Sequence, residues 1–224
     1  MSLPDCGRQP HDGPGYRMVL WDFDGTLADS WSCGREIYNE IAARHGFAPI
    51  TDIDAIRQMS TREFLKRHRI SVFRLAKFVR EWQGGMRTRM AEVGFYPGIL
   101  DALQTLRNQG ATLGILSSNA VENIRICLAN QQVEDLFTVV ESSPRLFGKA
   151  GGIRRILKRQ SLTRRDLLYI GDETRDLDAA HKAGVDSAAV GWGLHRPETL
   201  RGHAPTHLVE RAAQIPALRP RPIG

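Results

Sequence analysis

The sequence predicts a doubly wound α/β fold, a parallel sheet with helices on both faces, carrying an all-helical segment inserted after its first strand. Three observations carry this reading. Short apolar runs rich in β-branched and aromatic residues end in polar or glycine-bearing turns. Helical patterns alternate with those runs. One long interval, from Ser30 to about Val93, holds helical patterns alone.

The first strand is expected over Tyr16–Phe23, where YRMVLWDF runs into the turn signal DGT. In the interval that follows, WSCGREIYNEIAARHG and TREFLKRHRI read as helices, and the whole stretch reads as a helical cap. Pro97–Gly98 restarts the alternation. A helix over Ile99–Asn108 sets Leu100, Leu103 and Leu106 inward and stops at Gly110. A strand over Ala111–Ser118 leads to a helix over Asn119–Asn130, and a weaker strand, Phe137–Glu141, precedes a helix over Gly151–Arg159. Next come the strand Asp166–Asp172, a helix over Thr174–Ala183 stopped by Gly184, the strand Val185–Trp192 and a weaker one at Thr206–Val209. The expected organisation is a flexible leader over 1–15, a core made of 16–29 and 94–224, and a cap over 30–93. The tail LRPRPIG is expected to fray.

With 42% hydrophobic and 25% charged residues and a mean hydropathy of −0.32, the composition is that of a water-soluble globular chain. No apolar run approaches the ~18 residues a membrane helix needs, and the first residues lack the apolar centre of a secretory signal. A cytoplasmic protein is expected. Cys6, Cys33 and Cys127 form no CxxC pair, which points to reduced thiols and away from a disulfide framework or a zinc site. The net charge of +6 is concentrated: Arg57 to Arg89 contains ten Lys/Arg and two Glu. Such a run is most often a solvated helix face, with anion steering the main rival. Phe64, Phe73, Phe78 and Trp82 within it are spaced for a helical core, not for stacking on bases, so no nucleic-acid partner is expected. His195, His203 and His207 lack ligand spacing and receive no role.

In an open parallel sheet, ligands bind beyond the carboxyl ends of the strands. The chemically informative residues fall there. The first strand delivers Asp22 and Asp24, two apart so that both carboxylates lie on one side of an extended chain, with Gly25 permitting a sharp turn. The second delivers Ser117, Ser118 and Asn119 to a helix N-terminus suited to a phosphate. Lys149 follows in FGKA, and GDETRD brings Asp172, Glu173 and Asp176 after a further strand. Carboxylates gathered at one place need a cation to coexist, and an all-oxygen set suits Mg²⁺. A carboxylate nucleophile toward phosphorus needs that neutralisation, and a second carboxyl must protonate the leaving alkoxide. Asp22 and Asp24 can divide those roles.

WDFDGTLADS is similar to the first motif of the haloacid dehalogenase superfamily, ILSSN to the second, the lysine of FGKA to the third and GDETRD to the fourth, in the family's order from Tyr16 to Val209. The chain resembles the phosphoglycolate-phosphatase-like branch. That resemblance implies a Rossmann-like core, a cap closing over the substrate, and Mg²⁺-dependent hydrolysis of a small phosphorylated metabolite such as phosphoglycolate or a sugar phosphate. It makes Asp22 the nucleophile and Asp24 the general acid/base. Ser117 becomes a phosphate ligand, joined by Ser118 and Asn119, and Lys149 the charge-neutralising group. Asp22, the backbone carbonyl of Asp24 and Asp172 would hold the metal. Asp176, helped by Glu173, would hold a metal-bound water or Lys149, while Gly25 and Thr26 support the loop. The sequence departs from the common pattern at Trp21, Phe23 and Ala150, none of which removes a functional atom, and Lys158 is a nearby competitor for the lysine role. Rival readings are a phosphomutase using the same phosphoenzyme and a non-catalytic phosphate-binding regulatory protein. A carbon–halogen hydrolase is disfavoured by Asp24 and the acidic cluster.

Overall fold

The computed structural model describes residues 15–143 and 148–220. The expected leader lies outside them but for Gly15, as does Cys6. Six strands form one sheet: β1 Met18–Trp21, β2 Thr112–Ser117, β3 Phe137–Ser142, β4 Leu167–Gly171, β5 Asp186–Val190 and β6 His207–Val209. All neighbours are parallel, in the order β3-β2-β1-β4-β5-β6. The chain therefore winds outward from β1 to one edge, returns beside β1, and winds to the other edge, which creates a crevice where the order reverses. Both weakly signalled strands are present. β1 is shorter than its apolar run because the Phe23 carbonyl accepts N–H bonds from Leu27 and Ala28, turning the chain away from the sheet.

The helices are α1 Trp31–His45, α2 Ile53–Arg57, α3 Thr61–Arg67, α4 Val72–Arg87, α5 Ile99–Asn108, α6 Val121–Asn130, α7 Lys149–Arg159, α8 Thr174–Ala183 and α9 Pro197–Arg201. Strand alternation sorts the core into two layers. Met18 and Leu20 pack with Leu116, Tyr169, Ile153 of α7 and Ala180 of α8. Val19 and Trp21 point the other way, to Ile115, Ile170, Leu103 of α5 and Ile124 of α6. α5 buries Ile99, Ala102, Leu103 and Leu106, an i, i+3, i+4, i+7 stripe. Leu100, expected inward, lies beside that stripe and is 43% exposed. Gly46 and Gly184 end α1 and α8 with φ of 69° and 76°, a conformation that favours residues without a Cβ.

Between β1 and α5 the chain forms α1–α4 and no strand among the described residues. The two crossings into this insertion run side by side. Ala28 bridges Phe95 antiparallel, Asp29 N–H donates to the Gly94 carbonyl at 2.9 Å, and Tyr96 N–H donates to the Leu27 carbonyl at 3.0 Å. Within the insertion α3 begins at a capping box of Ser60 and Glu63, and Tyr38 meets Phe64 and Phe78 edge-on with centroids 5.3 and 5.8 Å apart. Phe73, expected in this core, is instead 98% exposed. It sits in the first turn of α4, off the stripe formed by Leu75, Phe78, Val79 and Trp82. No described helix is long and apolar enough to cross a membrane.

Candidate active site

The carboxyl ends of β1, β2 and β4 converge at the crevice. Asp22 follows β1 directly, and its N–H donates to the Ile170 carbonyl at 2.8 Å, which fixes the residue against β4. Asp172 follows β4 and accepts from Thr26 Oγ1 and from Leu194 N–H, both at 2.7 Å. Lys149 opens α7 with its ammonium fully buried, 2.6 Å from Asp22 Oδ2 and 2.6 Å from Asp176 Oδ1. Lys158 lies on the exposed face of α7. Asp22, Asp172 and Asp176 each present an oxygen within 4.8 Å of the others.

Backbone shape makes this convergence possible. Gly25 has φ of 78°, and a Cβ there would overlap the Asp172 carboxylate. A Cβ on Gly193 would overlap both Asp172 and the Gly25 carbonyl. Gly193 was not singled out from the sequence, although it stands just past β5, where the strand-end rule points.

Three buried carboxylates gather here, and two of them, Asp22 and Asp176, share the Lys149 ammonium. Burial holds Asp172 well above the ordinary carboxylate range, reinforced by the charges of Glu173, Asp22 and Asp176. Lys149 is raised: burial opposes its charge, but Asp176 and Asp22 outweigh burial. The donors are all hard oxygens and the negative charge exceeds the positive, so Asp22 and Asp172 fit a divalent cation such as Mg²⁺.

Asp24 occupies a different environment. Burial pushes its carboxyl up to about 7, against hydrogen bonds from Ser30 and Asn119. Ser30 Oγ donates to Oδ1 at 2.8 Å and Asn119 Nδ2 to Oδ2 at 3.0 Å. Ser30 escaped the sequence reading because nothing in a lone serine after the motif distinguishes it from a helix cap. Asn119 was expected to bind phosphate, but its amide is engaged: Oδ1 also accepts from Ala120 N–H and from Asn123 Nδ2, each at 2.8 Å. These bonds delay the helix, so Ala120 caps α6 and the serines lie before its first turn. Ser117 is buried at the end of β2 and accepts from Asn119 N–H at 3.2 Å.

Glu173 and Asp176 divide the start of α8. Asp176 Oδ2 accepts from Glu173 N–H at 3.1 Å while its other oxygen takes Lys149. Arg175, overlooked within GDETRD, grips Glu173 through Nε at 2.9 Å and a terminal nitrogen at 2.5 Å, and reaches Ser118 Oγ at 3.3 Å. Burial works against Glu173 ionising, yet the Arg175 charge overrides it and draws Glu173 down to about 2. His195, assigned no role, is 2% exposed, and its Nδ1 accepts from Thr174 N–H at 3.0 Å. Burial lowers its basicity, opposed by Glu173.

The insertion closes over this floor. Arg57 donates to the Gly193 and Leu194 carbonyls at 3.2 Å, Thr61 Oγ1 to Glu173 at 3.2 Å, and Gln83 Nε2 to the Ser118 carbonyl at 2.6 Å. A cavity of about 200 Å³ remains between floor and insertion, reaching Asp24, Asp172, Ser118 and Arg175. None of the ten basic residues from Arg57 to Arg89 lines it. Arg62 lies on the exposed face of α3. The run is outward-facing except at Arg57, Arg89 and their immediate partners, so its positive charge does not form the cavity wall.

A family model for haloacid dehalogenase-like hydrolases matches residues 19–190. A phosphoglycolate phosphatase of Synechococcus elongatus is 32% identical over 199 residues, covering 88% of this chain and 94% of that protein. The tyrosine-protein kinase PtkA of Mycobacterium tuberculosis is 27% identical over 230 residues, covering 95% and 74%. A haloacid dehalogenase-like hydrolase from Streptococcus pneumoniae superposes with a TM-score of 0.74 at 21% identity, over 90% of this chain and 97% of that one, a likeness of fold.

Proposed function

This chain belongs to the haloacid dehalogenase-like hydrolases, and from that premise we propose that it is a Mg²⁺-dependent phosphomonoesterase working through a phosphoaspartate on Asp22. The observation that carries the reading is the pairing of a buried, lysine-held carboxylate, Asp22, with a second, half-buried carboxyl, Asp24, raised to about 7. One offers the nucleophilic oxygen. The other is poised to exchange a proton near neutral pH.

In the proposed first step an Asp22 oxygen attacks phosphorus, the bond to the ester oxygen breaks, and Asp24 gives its proton to the departing alkoxide. In the second, water attacks the phosphorus of the acyl phosphate, Asp24 takes the water's proton, and the Asp22 carboxylate is restored. Lys149 neutralises Asp22 and is itself positioned by Asp176. Ser117 and Ser118 supply hydroxyls at the end of β2 for the phosphoryl oxygens. Asp22, the Asp24 carbonyl and Asp172 would hold Mg²⁺, which supplies charge neutralisation between carboxylate and phosphate. The insertion acts as a cap that excludes water from the first step. Phosphoglycolate enters as a substrate through the Synechococcus relative and is the reference compound for others.

The test is phosphate release from a panel of phosphomonoesters with Mg²⁺ and with chelator. Turnover that requires the metal and vanishes in Asp22→Asn is expected. Undiminished turnover in Asp22→Asn contradicts the assignment.

A further inference from the structure

The cavity above the carboxylates has walls of two kinds. Its floor is polar, and Asp24, the proposed proton donor to the leaving oxygen, is part of it. Its roof is apolar: Leu75, Phe78, Val79 and Trp82 form one helical stripe of α4, facing Phe64 and Leu65 of α3. These six side chains are only partly buried and line the cavity on one side, while all but Val79 also pack against the main core. Few charges oppose them. Among the described residues two guanidiniums reach the wall, and of these Arg175 is already held by Glu173, leaving Arg35 of α1.

The leaving oxygen must lie at Asp24, so the body of the departing alcohol must extend into this space. We propose that the preferred substrate is a phosphomonoester whose alcohol is apolar, an alkyl or aryl group of several carbons, seated on the α3–α4 stripe. The inference rests on the phosphomonoesterase reading and refines its substrate class. A two-carbon carboxylate such as glycolate would leave the stripe uncovered and would have, among the described residues of the wall, Arg35 to meet it. An alkyl chain removes the stripe from water as it binds, and that gain grows with chain length. Binding remote from phosphorus then lowers the barrier to reaction from free substrate.

The experiment compares kcat/KM for ethyl, butyl and hexyl phosphate with that for phosphoglycolate, in Mg²⁺, using the full chain, Asp22→Asn as the blank, and the variants Val79→Asn and Gly34→Leu. Gly34 lines the cavity beside Trp82, where an added Cβ would meet the Trp82 ring at ordinary contact distance. kcat/KM should rise roughly threefold to fourfold per methylene, hexyl phosphate should exceed phosphoglycolate, and both variants should flatten the series, read as the ratio of hexyl to ethyl phosphate. Either variant suffices should the other fail to fold. Turnover dependent on Asp22 with a flat series, or with phosphoglycolate ahead, overturns this inference alone. No Asp22-dependent turnover of any ester overturns the phosphomonoesterase reading and this inference with it.

Discussion

At the residue scale, charge in a dry place governs the site. Asp24 is half-buried beside Asp22, and its two oxygens accept from neutral donors, Ser30 and Asn119. Asp24→Asn keeps the shape and removes the proton, so turnover of an alkyl phosphate should fall by roughly 10²–10⁴, measured as phosphate release. A nitrophenyl ester, whose leaving group needs no proton, should retain much of its first step. Equal losses for both esters would remove Asp24 as the acid. Asp172 accepts from Thr26 and Leu194 and from no other described side chain or N–H, so Asp172→Ala should raise the Mg²⁺ concentration needed for half-maximal activity; an unchanged requirement would exclude it as a ligand. His195 gives a pH prediction. Burial lowers its folded pKa below the ordinary 6.5, so below that pH the unfolded chain binds more protons than the folded one and stability falls as pH drops through and below 6.5. His195→Gln should flatten that acid limb in urea titrations at successive pH values. An unaltered limb would mean other groups cause it. Asp22 and Asp172 were legible because their type and strand-end position combine in a recognisable motif. Ser30, Arg175 and His195 were not, because each is an isolated polar residue given meaning only by partners that the fold supplies.

At the scale of elements, periodicity identified helices better than the surfaces they cover. The stripe Leu75, Phe78, Val79 and Trp82 was legible in part as amphipathic spacing, but spacing does not reveal whether such a face meets a core or a cavity. The basic residues of α3 and α4 occupy the other sides, which is why their charge says little about the site. In α5, Leu100 and Leu103 both fitted the inward pattern, yet the rotation of the helix buries Leu103 and leaves Leu100 43% exposed. Leu103→Ala should cost about 2–5 kcal/mol and Leu100→Ala under about 0.5 kcal/mol, read from urea unfolding; similar costs would contradict the helix orientation.

At the scale of the whole molecule, the strand order sets the chemistry. Because β2 and β4 flank β1, Ser117, Asp22 and Asp172 are brought to one crevice from positions far apart in sequence, and the paired crossings at Ala28 and Phe95 return the chain to the same sheet after the insertion. Arg57 and Gln83 then tie the insertion to the loops after β5 and β2. The central claim is a covalent phosphoryl group on Asp22. Asp24→Asn should let a nitrophenyl ester phosphorylate the protein while slowing the water attack that follows. The decisive measurement is to mix this variant with nitrophenyl phosphate and Mg²⁺, quench in acid, and map the peptides by mass. The account predicts a burst of nitrophenol matched by one phosphoryl group on the peptide holding Asp22, released by hydroxylamine as an acyl phosphate is; a burst with the phosphoryl group on any other residue, or turnover with no phosphorylated protein and no burst, would contradict it.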